Sequence, residues 1–220
     1  MEKIHLYFIP GLAANSKIFE KLSFPQHYEL HYLEWLDPIK NESISAYAKR
    51  LSNDVKHPKP VLIGVSFGGI IVQEMKKHLQ PQKTIIISSI KTKFEHSYLS
   101  RLAKSSKIYR LFPFFVNHAL KFSLKLVFGK RALERINLYN LYLSKRDYHY
   151  LHWSLSNVLN WKRESADLDI IHIHGNKDEI FPIKYIKNCI IVDQGTHVMI
   201  LNKAKTISQL IQQNIENNEH

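Results

Sequence analysis

Residues 60–79 read PVLIGVSFGGIIVQEMKKHL, and this stretch gives the strongest indication of the fold class. Apolar residues run without a break from Val61 to Ile63, which is typical of a strand that is covered on both faces of a parallel sheet. A glycine-rich turn, GVSFGG, follows this run, and a helical pattern with one apolar stripe follows the turn. A buried strand that turns tightly into an amphipathic helix indicates an α/β fold.

The rest of the chain repeats this alternation of short apolar runs with longer amphipathic stretches. The runs of strand type are 4–9, 28–35, 60–63, 84–87, 169–173 and 189–192. Helical patterns separate several of them and also close the chain, and the clearest are 43–55, 71–79 and 204–214. Because the strands read as nearly continuous Ile and Val runs, we predict a doubly wound α/β domain with a mostly parallel sheet of about six strands.

Residues 91–165 interrupt the alternation with helical patterns only. This segment falls between two strands of one sheet, so it leaves the sheet at one end and is placed to cover a site there. The sequence therefore predicts an α/β core of residues 1–90 and 166–220 with an all-helical lid over 91–165. Ser144 to Asp147 have the spacing of a capping box at the start of a helix in this lid. The lid aromatics that would line an acyl pocket, or else form the lid's own core, are Phe112, Phe114, Phe115, Tyr139, Tyr142, Trp153 and Trp161.

The net charge of +12 is concentrated in the same segment. Residues 91–165 contain 15 Lys and Arg against 4 Asp and Glu. A basic block of this kind suits an anionic substrate or an acidic partner, and it is also compatible with a solvated helical face. Because no nucleic-acid-binding motif accompanies the charge, we expect no nucleic-acid partner.

Composition and cysteine content indicate a globular protein without disulfide bonds. The chain is 45% hydrophobic and 23% charged, which is ordinary for a globular domain. Its single cysteine, Cys189, excludes an intrachain disulfide framework and fits a reducing compartment. No apolar run approaches the roughly 18 residues of a membrane span. We expect a cytoplasmic protein with no membrane span, and its oligomeric state is left open.

The turn within residues 60–79 carries the clearest chemical signal. Residues 64–68 read G-x-S-x-G, directly after a strand and directly before a helix. Such a turn brings the hydroxyl of Ser66 to the carboxyl end of the sheet, where open α/β sheets bind ligands. The helix that follows directs its free amides and the positive end of its dipole at developing negative charge. A serine nucleophile also needs a base, and the base needs an orienting acid.

In this context the chain resembles the α/β-hydrolase superfamily, in particular its serine esterase and lipase branch. Members of that family carry serine, then an acid, then histidine in chain order. Residues 172–182, HIHGNKDEIFP, resemble the family's strand-Gly-x-x-Asp-x-x-x-Pro segment, which implies Asp178 as the acid, with Glu179 beside it as an alternative. Residues 195–199, GTHVM, resemble its Gly-x-His segment, which implies His197 as the base. The resemblance extends over nearly the whole chain.

The resemblance also implies two backbone N–H groups that hold an oxyanion. One belongs to Phe67, the residue after the nucleophile, and the other to Leu12, because Pro10-Gly11-Leu12 resembles the family's His-Gly-x segment. Pro10 departs from the family pattern, which has histidine there. The sequence begins at what corresponds to the family's third strand, so the resemblance implies a fold that lacks the leading antiparallel hairpin.

Two further histidines have an alternative interpretation. His172 and His174 lie on one face of a strand, so they form either a metal-binding pair or a structural pair. No third ligand stands at a suitable spacing, so we expect no metal at this pair. The mechanism that the resemblance implies needs no metal and no cofactor.

The function that this resemblance implies is hydrolysis of a carboxylic ester or thioester through an acyl-enzyme on Ser66. The substrate is expected to be a small acyl compound, with an anionic or carrier-linked one suggested by the basic block. Two other functions stay open: an acyltransferase or lyase on the same fold, and a hydrolase-like binding protein without turnover.

Overall fold

The computed structural model describes residues 3–97, 104–105 and 141–217. These residues form one six-stranded sheet in the order β2-β1-β3-β4-β5-β6. The strands are β1 (Ile4–Ile9), β2 (Tyr28–Tyr32), β3 (Val61–Val65), β4 (Lys83–Ile87), β5 (Ile170–Gly175) and β6 (Ile190–Val192). All neighbouring strands pair in parallel. The doubly wound α/β sheet predicted from the sequence is therefore confirmed.

Helices cover both faces of this sheet. They are α1 (Ile44–Ser52), α2 (Phe67–Met75), α3 (Tyr148–Asn160), α4 (Met199–Asn202) and α5 (Ala204–Glu216). Side chains of α1, α2 and α3 pack with Leu62 and Ile86 in one apolar cluster, whereas α4 and α5 pack with Ile63 and Ile85 in another. Since successive strand residues point to opposite faces, two covered faces require the continuous apolar runs seen in the sequence. No helix in the described ranges is both long enough and apolar enough to span a lipid bilayer.

The strand order reverses between β1 and β3, which are neighbours in the sheet. Ile9 at the end of β1 pairs with Gly64 near the end of β3. The segments that follow these two strands therefore begin side by side at the carboxyl end of the sheet. Open α/β sheets bind ligands at such a switch point, and this one carries Leu12 after β1 and Ser66 after β3.

Several predicted element boundaries are wrong. The helix predicted over 43–55 ends at Ser52, and the one predicted over 71–79 begins at Phe67 and ends at Met75. The run 28–35 forms a strand only as far as Tyr32, because Trp35 turns into the apolar core and donates its Nε1–H to the carbonyl oxygen of Gly11 at 3.1 Å. The predicted capping box does not start a helix at Ser144. Instead α3 begins at Tyr148, and the Asp147 side chain caps it by accepting the N–H of Tyr150.

Residues 91–97 and 141–165 of the predicted lid pack against the α/β domain, whereas Lys104 and Ser105 are exposed. Trp153 donates its Nε1–H to the carbonyl oxygen of Glu42, and Trp161 donates to the Glu74 carboxylate. Both tryptophans belong to the same apolar cluster as α1 and α2. Helix α3 is thus built into the core. The remaining lid residues, including Phe112, Phe114, Phe115 and Tyr139, lie outside the described residues.

Candidate active site

The turn between β3 and α2 accepts only glycine at two positions. A Cβ at Gly64 would lie 2.2 Å from the carbonyl oxygen of Gly68, and a Cβ at Gly68 would lie 2.3 Å from the carbonyl oxygen of Ile9. Neither contact can be relieved without moving backbone, since both neighbours are backbone atoms. The two glycines of the G-x-S-x-G pattern therefore allow the strand, the helix and the end of β1 to approach each other.

Ser66 itself has a strained backbone. Its φ of 53° and ψ of −115° lie in a region that non-glycine residues rarely adopt. The neighbouring strand holds this conformation, because the Ser66 amide donates to the carbonyl oxygen of Ile87 at 2.9 Å. The Ser89 hydroxyl donates to the Ser66 carbonyl oxygen at 2.7 Å. Strain held in place this way is typical of functional positions.

The structure brings Ser66, His197 and Asp178 together, although they are far apart in the sequence. His197 Nε2 lies 3.0 Å from Ser66 Oγ. His197 Nδ1 lies 2.9 Å and 3.1 Å from the two carboxylate oxygens of Asp178. A carboxylate only accepts hydrogen bonds, so Nδ1 of the neutral ring carries the proton, and Nε2 is free to accept the proton of the serine hydroxyl.

Asp178 is the acid that contacts His197, and Glu179 is not. The Asp178 side chain is fully buried, and its Oδ1 accepts the amides of Ile180 and Phe181 at 2.9 Å each. Glu179, in contrast, is exposed. The backbone amides fix the orientation of the Asp178 carboxylate, so the choice between the two acids is set by the fold of this loop.

His172 and His174 form a buried hydrogen-bonded pair behind the Asp178 loop. His174 Nε2 lies 2.8 Å from the carbonyl oxygen of Phe181, and His174 Nδ1 lies 3.1 Å from His172 Nε2. A carbonyl oxygen only accepts, so His174 Nε2 donates to Phe181, and His174 Nδ1 accepts the Nε2–H of His172. The two rings thus bond to each other and to the loop.

Burial favours the neutral form of both rings. It lowers the pKa of His172 well below the ordinary value for histidine, and the neighbouring His174 and Lys91 add to the shift. Burial also lowers the pKa of His174, against the opposing effect of the Phe181 carbonyl. The sequence placed the two histidines on one face of a strand, but their contact with the Asp178 loop depends on tertiary structure that the sequence pattern does not contain.

The two predicted oxyanion donors lie at the start of α2 and in the loop after β1. Among the described residues, neither the Leu12 N–H nor the Phe67 N–H donates a hydrogen bond. A Cβ placed on Gly11 would lie 3.5 Å from the Cβ of Ser66, so this loop passes close to the serine. Pro10 and Gly11 precede Leu12 in this loop, and Leu12 keeps its backbone N–H.

The loop after β1 is held on both sides. Trp35 donates to the carbonyl oxygen of Gly11, as described above. The Ala13 amide, at a positive φ of 64°, donates to the hydroxyl of Tyr150 on α3 at 3.3 Å. Helix α3, which the sequence assigned to the lid, therefore contacts the loop that carries Leu12.

The sequence matches no protein-family model and no curated protein. Its fold resembles solved structures. BpoC from Mycobacterium tuberculosis, provisionally assigned as a non-heme bromoperoxidase, has a TM-score of 0.75 at 10% identity, with 99% of this chain and 93% of that one covered. The esterase EaEST from Exiguobacterium antarcticum has a TM-score of 0.64 at 16% identity, covering 98% and 92%. YbtT, a type II thioesterase of the yersiniabactin biosynthetic pathway, has a TM-score of 0.62 at 18% identity, covering 98% and 94%. At these identities the likeness shows a shared fold.

Proposed function

We propose that this chain, which has the α/β-hydrolase fold, is a serine hydrolase that cleaves a carboxylic ester or thioester through an acyl-enzyme on Ser66. One observation carries the proposal: Ser66 Oγ, on a strained strand-to-helix turn, lies 3.0 Å from His197 Nε2, while His197 Nδ1 contacts the buried Asp178 carboxylate. Acyl transfer through a serine requires a base that contacts the nucleophile and an acid that orients the base, and these three residues have that arrangement.

In the first half of the reaction, Ser66 Oγ attacks the acyl carbonyl carbon while His197 Nε2 takes the hydroxyl proton. The ring then carries a positive charge, which the Asp178 carboxylate stabilises from the Nδ1 side. The protonated His197 next gives its proton to the leaving alcohol or thiol. The products of this half are the acyl-serine ester and the released leaving group.

The negative charge on the carbonyl oxygen requires donors that are already in place. The Leu12 and Phe67 amides have no partner in the described structure and flank the serine turn, so we assign them to this oxygen. Phe67 is the first residue of α2, where the helix dipole also favours negative charge.

Deacylation repeats these steps with water as the nucleophile. His197 takes a proton from water as the oxygen attacks the acyl carbon, and then returns the proton to Ser66 Oγ as the acid leaves. The Ser66 side chain is half-buried and that of His197 is 23% exposed, so water has access to both.

We further propose that the acyl substrate is anionic or attached to an acidic carrier, because of the basic block in 91–165. Part of that charge is neutralised locally. Among the described residues of the block, the basic side chains paired with a carboxylate include Lys93 with Glu164, Lys145 with Asp37, and Arg163 with Asp167. The steering charge must therefore come from the other basic residues of the segment.

The activity is tested with p-nitrophenyl esters of increasing chain length and with acyl-coenzyme A thioesters, comparing wild type with Ser66→Ala. Exposed Ser165 supplies a matched control, Ser165→Ala. We expect hydrolysis by wild type and Ser165→Ala and none by Ser66→Ala. Activity retained by Ser66→Ala would refute the proposal.

Product analysis separates hydrolysis from the other reactions of the fold. With an alcohol present, formation of a new ester in place of the free acid would identify an acyltransferase. Cleavage without an acyl product would identify a lyase. Ligand binding that is unchanged by Ser66→Ala, with no turnover of any substrate, would identify a binding protein.

A further inference from the structure

Four side chains with metal-binding atoms meet where the edge strand of the sheet lies beside β1. They are His5 on β1, Glu29 and His31 on β2, and His57 between α1 and β3, and together we call them the edge cluster. Each offers one ligand atom, and these four atoms all lie within 4.8 Å of one another. All four residues are half-buried.

Strand register explains why three of them share a face. β1 and β2 pair with His5 opposite Glu29 and Tyr7 opposite His31. Because alternate residues of a strand point to the same side, His5, Glu29 and His31 lie on one face of the sheet. His5 Nδ1 is 3.0 Å from His31 Nε2, and His31 Nε2 is 3.7 Å from Glu29 Oε1.

His57 joins this face from the neighbouring segment. Its ring stacks on that of His5, with centroids 3.6 Å apart. Its Nδ1 lies 2.6 Å from the hydroxyl of Tyr7, which also accepts the Lys56 amide at 3.0 Å. Metal-binding histidines usually have their second ring nitrogen held by such an outer partner. Tyr7 therefore fixes the His57 ring and leaves Nε2 as the nitrogen that can bind an ion.

We propose that the edge cluster binds one divalent transition-metal ion of the zinc type. Zinc–nitrogen bonds of about 2.0–2.1 Å in a tetrahedral site place ligand atoms about 3.3 Å apart. Two distances in the edge cluster lie close to that value: 3.0 Å between His5 Nδ1 and His31 Nε2, and 3.7 Å between His31 Nε2 and Glu29 Oε1. Since no two of the ligand atoms are more than 4.8 Å apart, no separation has to close by more than about 1.5 Å on binding. The His5 and His57 rings, which stack in nearly parallel planes, must also rotate so that both direct a nitrogen at the same ion.

The donor set selects the ion. Three imidazoles and one carboxylate suit zinc and related metals, whereas magnesium and calcium prefer oxygen ligands. Lys3 Nζ lies 3.1 Å from Oε2 of Glu29, so Oε1, on the His31 side, is the oxygen available to the metal.

The site lies apart from the candidate active site. His5 is the second residue of β1, whereas Ser66 follows the last residue of β3. A bound ion connects the edge strand β2 to β1 and to the segment before β3. Its role is thus to stabilise this edge of the fold.

The test is calorimetric titration of chelator-treated protein with zinc chloride. We expect one zinc ion per chain and a higher melting temperature with zinc, and neither effect with magnesium chloride. His31→Gln and His57→Gln each should weaken zinc binding by at least about 100-fold, since the loss of a mere outer partner already costs about 10- to 100-fold. Circular dichroism checks that the variants fold, and cobalt absorption of the wild type reports tetrahedral coordination independently of any variant.

Two control variants should bind zinc like the wild type. His78→Gln removes an exposed histidine outside the edge cluster, and His197→Ala removes the histidine of the candidate active site. The proposal is overturned if the wild type takes up no zinc, if both cluster variants bind as tightly as the wild type, or if His197→Ala alone abolishes binding.

Discussion

The imidazole of His174 donates a hydrogen bond to the carbonyl oxygen of Phe181 at 2.8 Å. The amide of Phe181 in turn donates to Oδ1 of Asp178 at 2.9 Å. His174 Nε2 also lies 3.6 Å from the other Asp178 oxygen. His174 therefore contacts the loop that carries Asp178, and we expect it to act as a positioning residue for the acid.

Replacing His174 should lower turnover more than substrate affinity. His174→Phe removes the donor to Phe181 and frees the Asp178 loop. If the Asp178 carboxylate and the His197 ring then shift by about 1 Å, the rate can fall by up to about 100-fold. We expect kcat to fall toward that limit with KM little changed. His174→Gln, which can still donate to the Phe181 carbonyl, should retain more of kcat. Steady-state kinetics on the substrate found in the screen measures both. A kcat of His174→Phe equal to or above that of His174→Gln would show that the donor to Phe181 does not matter.

The choice between the two neighbouring acids can be tested directly. Asp178→Asn should lower kcat by about 10⁴-fold, because an amide favours the wrong tautomer of His197. Glu179 is exposed and cannot take over without rebuilding the loop, so Glu179→Gln should behave like the wild type. If Asp178→Asn kept more than a tenth of the wild-type rate, another group would have to orient His197.

The buried histidine pair should make stability depend on pH. The folded pKa values of His172 and His174 are lowered by burial, so below about pH 6.5 the unfolded chain binds protons that the folded chain does not. Stability is fully present above that pH and falls as the pH drops, by up to about 1.4 kcal/mol per pH unit for each group. Urea unfolding between pH 8 and pH 5.5 measures this slope.

His172→Phe should reduce the slope, whereas His78→Gln, at an exposed histidine, should leave it unchanged. An unchanged slope in His172→Phe would mean that this ring is protonated in the folded protein.

The basic block should be visible in the salt dependence of the reaction. Raising the ionic strength from about 0.02 to about 0.5 M shortens the Debye length from roughly 20 Å to about 4 Å. If residues 91–165 steer anionic substrates, kcat/KM for an anionic thioester should drop severalfold, while that for a neutral ester barely changes. The same salt sensitivity for both substrates would identify the charge as solvated surface.

Local patterns predicted much of the fold and the turn that carries Ser66, whereas Asp178 and His197 were implied by the resemblance to the α/β-hydrolase superfamily. The six strands could be identified because a parallel sheet covered on both faces requires continuous apolar runs. Ser66, Asp178 and His197 each sit in a short segment whose glycines and strand ends are visible in the sequence. The strand order places the carboxyl ends of β3, β5 and β6 at the same end of the sheet. The structure therefore brings these three side chains together.

What the sequence did not predict depends on contacts between distant segments. Nothing around Trp153 distinguishes a lid residue from a core residue until α3 packs onto α1 and α2. The edge cluster draws on His5, Glu29, His31 and His57, whose spacing matches no metal-binding motif; only the register of β1 with β2 aligns them. Ser144 and Asp147 both suit a helix start, and the bond from the Tyr150 amide decides in favour of Asp147.

Covalent labelling with a fluorophosphonate probe, followed by intact-mass measurement and peptide mapping, tests directly whether Ser66 is the nucleophile. We expect one adduct per chain on Ser66 in the wild type and in Ser165→Ala, none in Ser66→Ala, and strongly slowed labelling in His197→Ala. A wild-type chain that does not label, or a Ser66→Ala chain that labels at the wild-type rate, would contradict the assignment of Ser66 as the nucleophile.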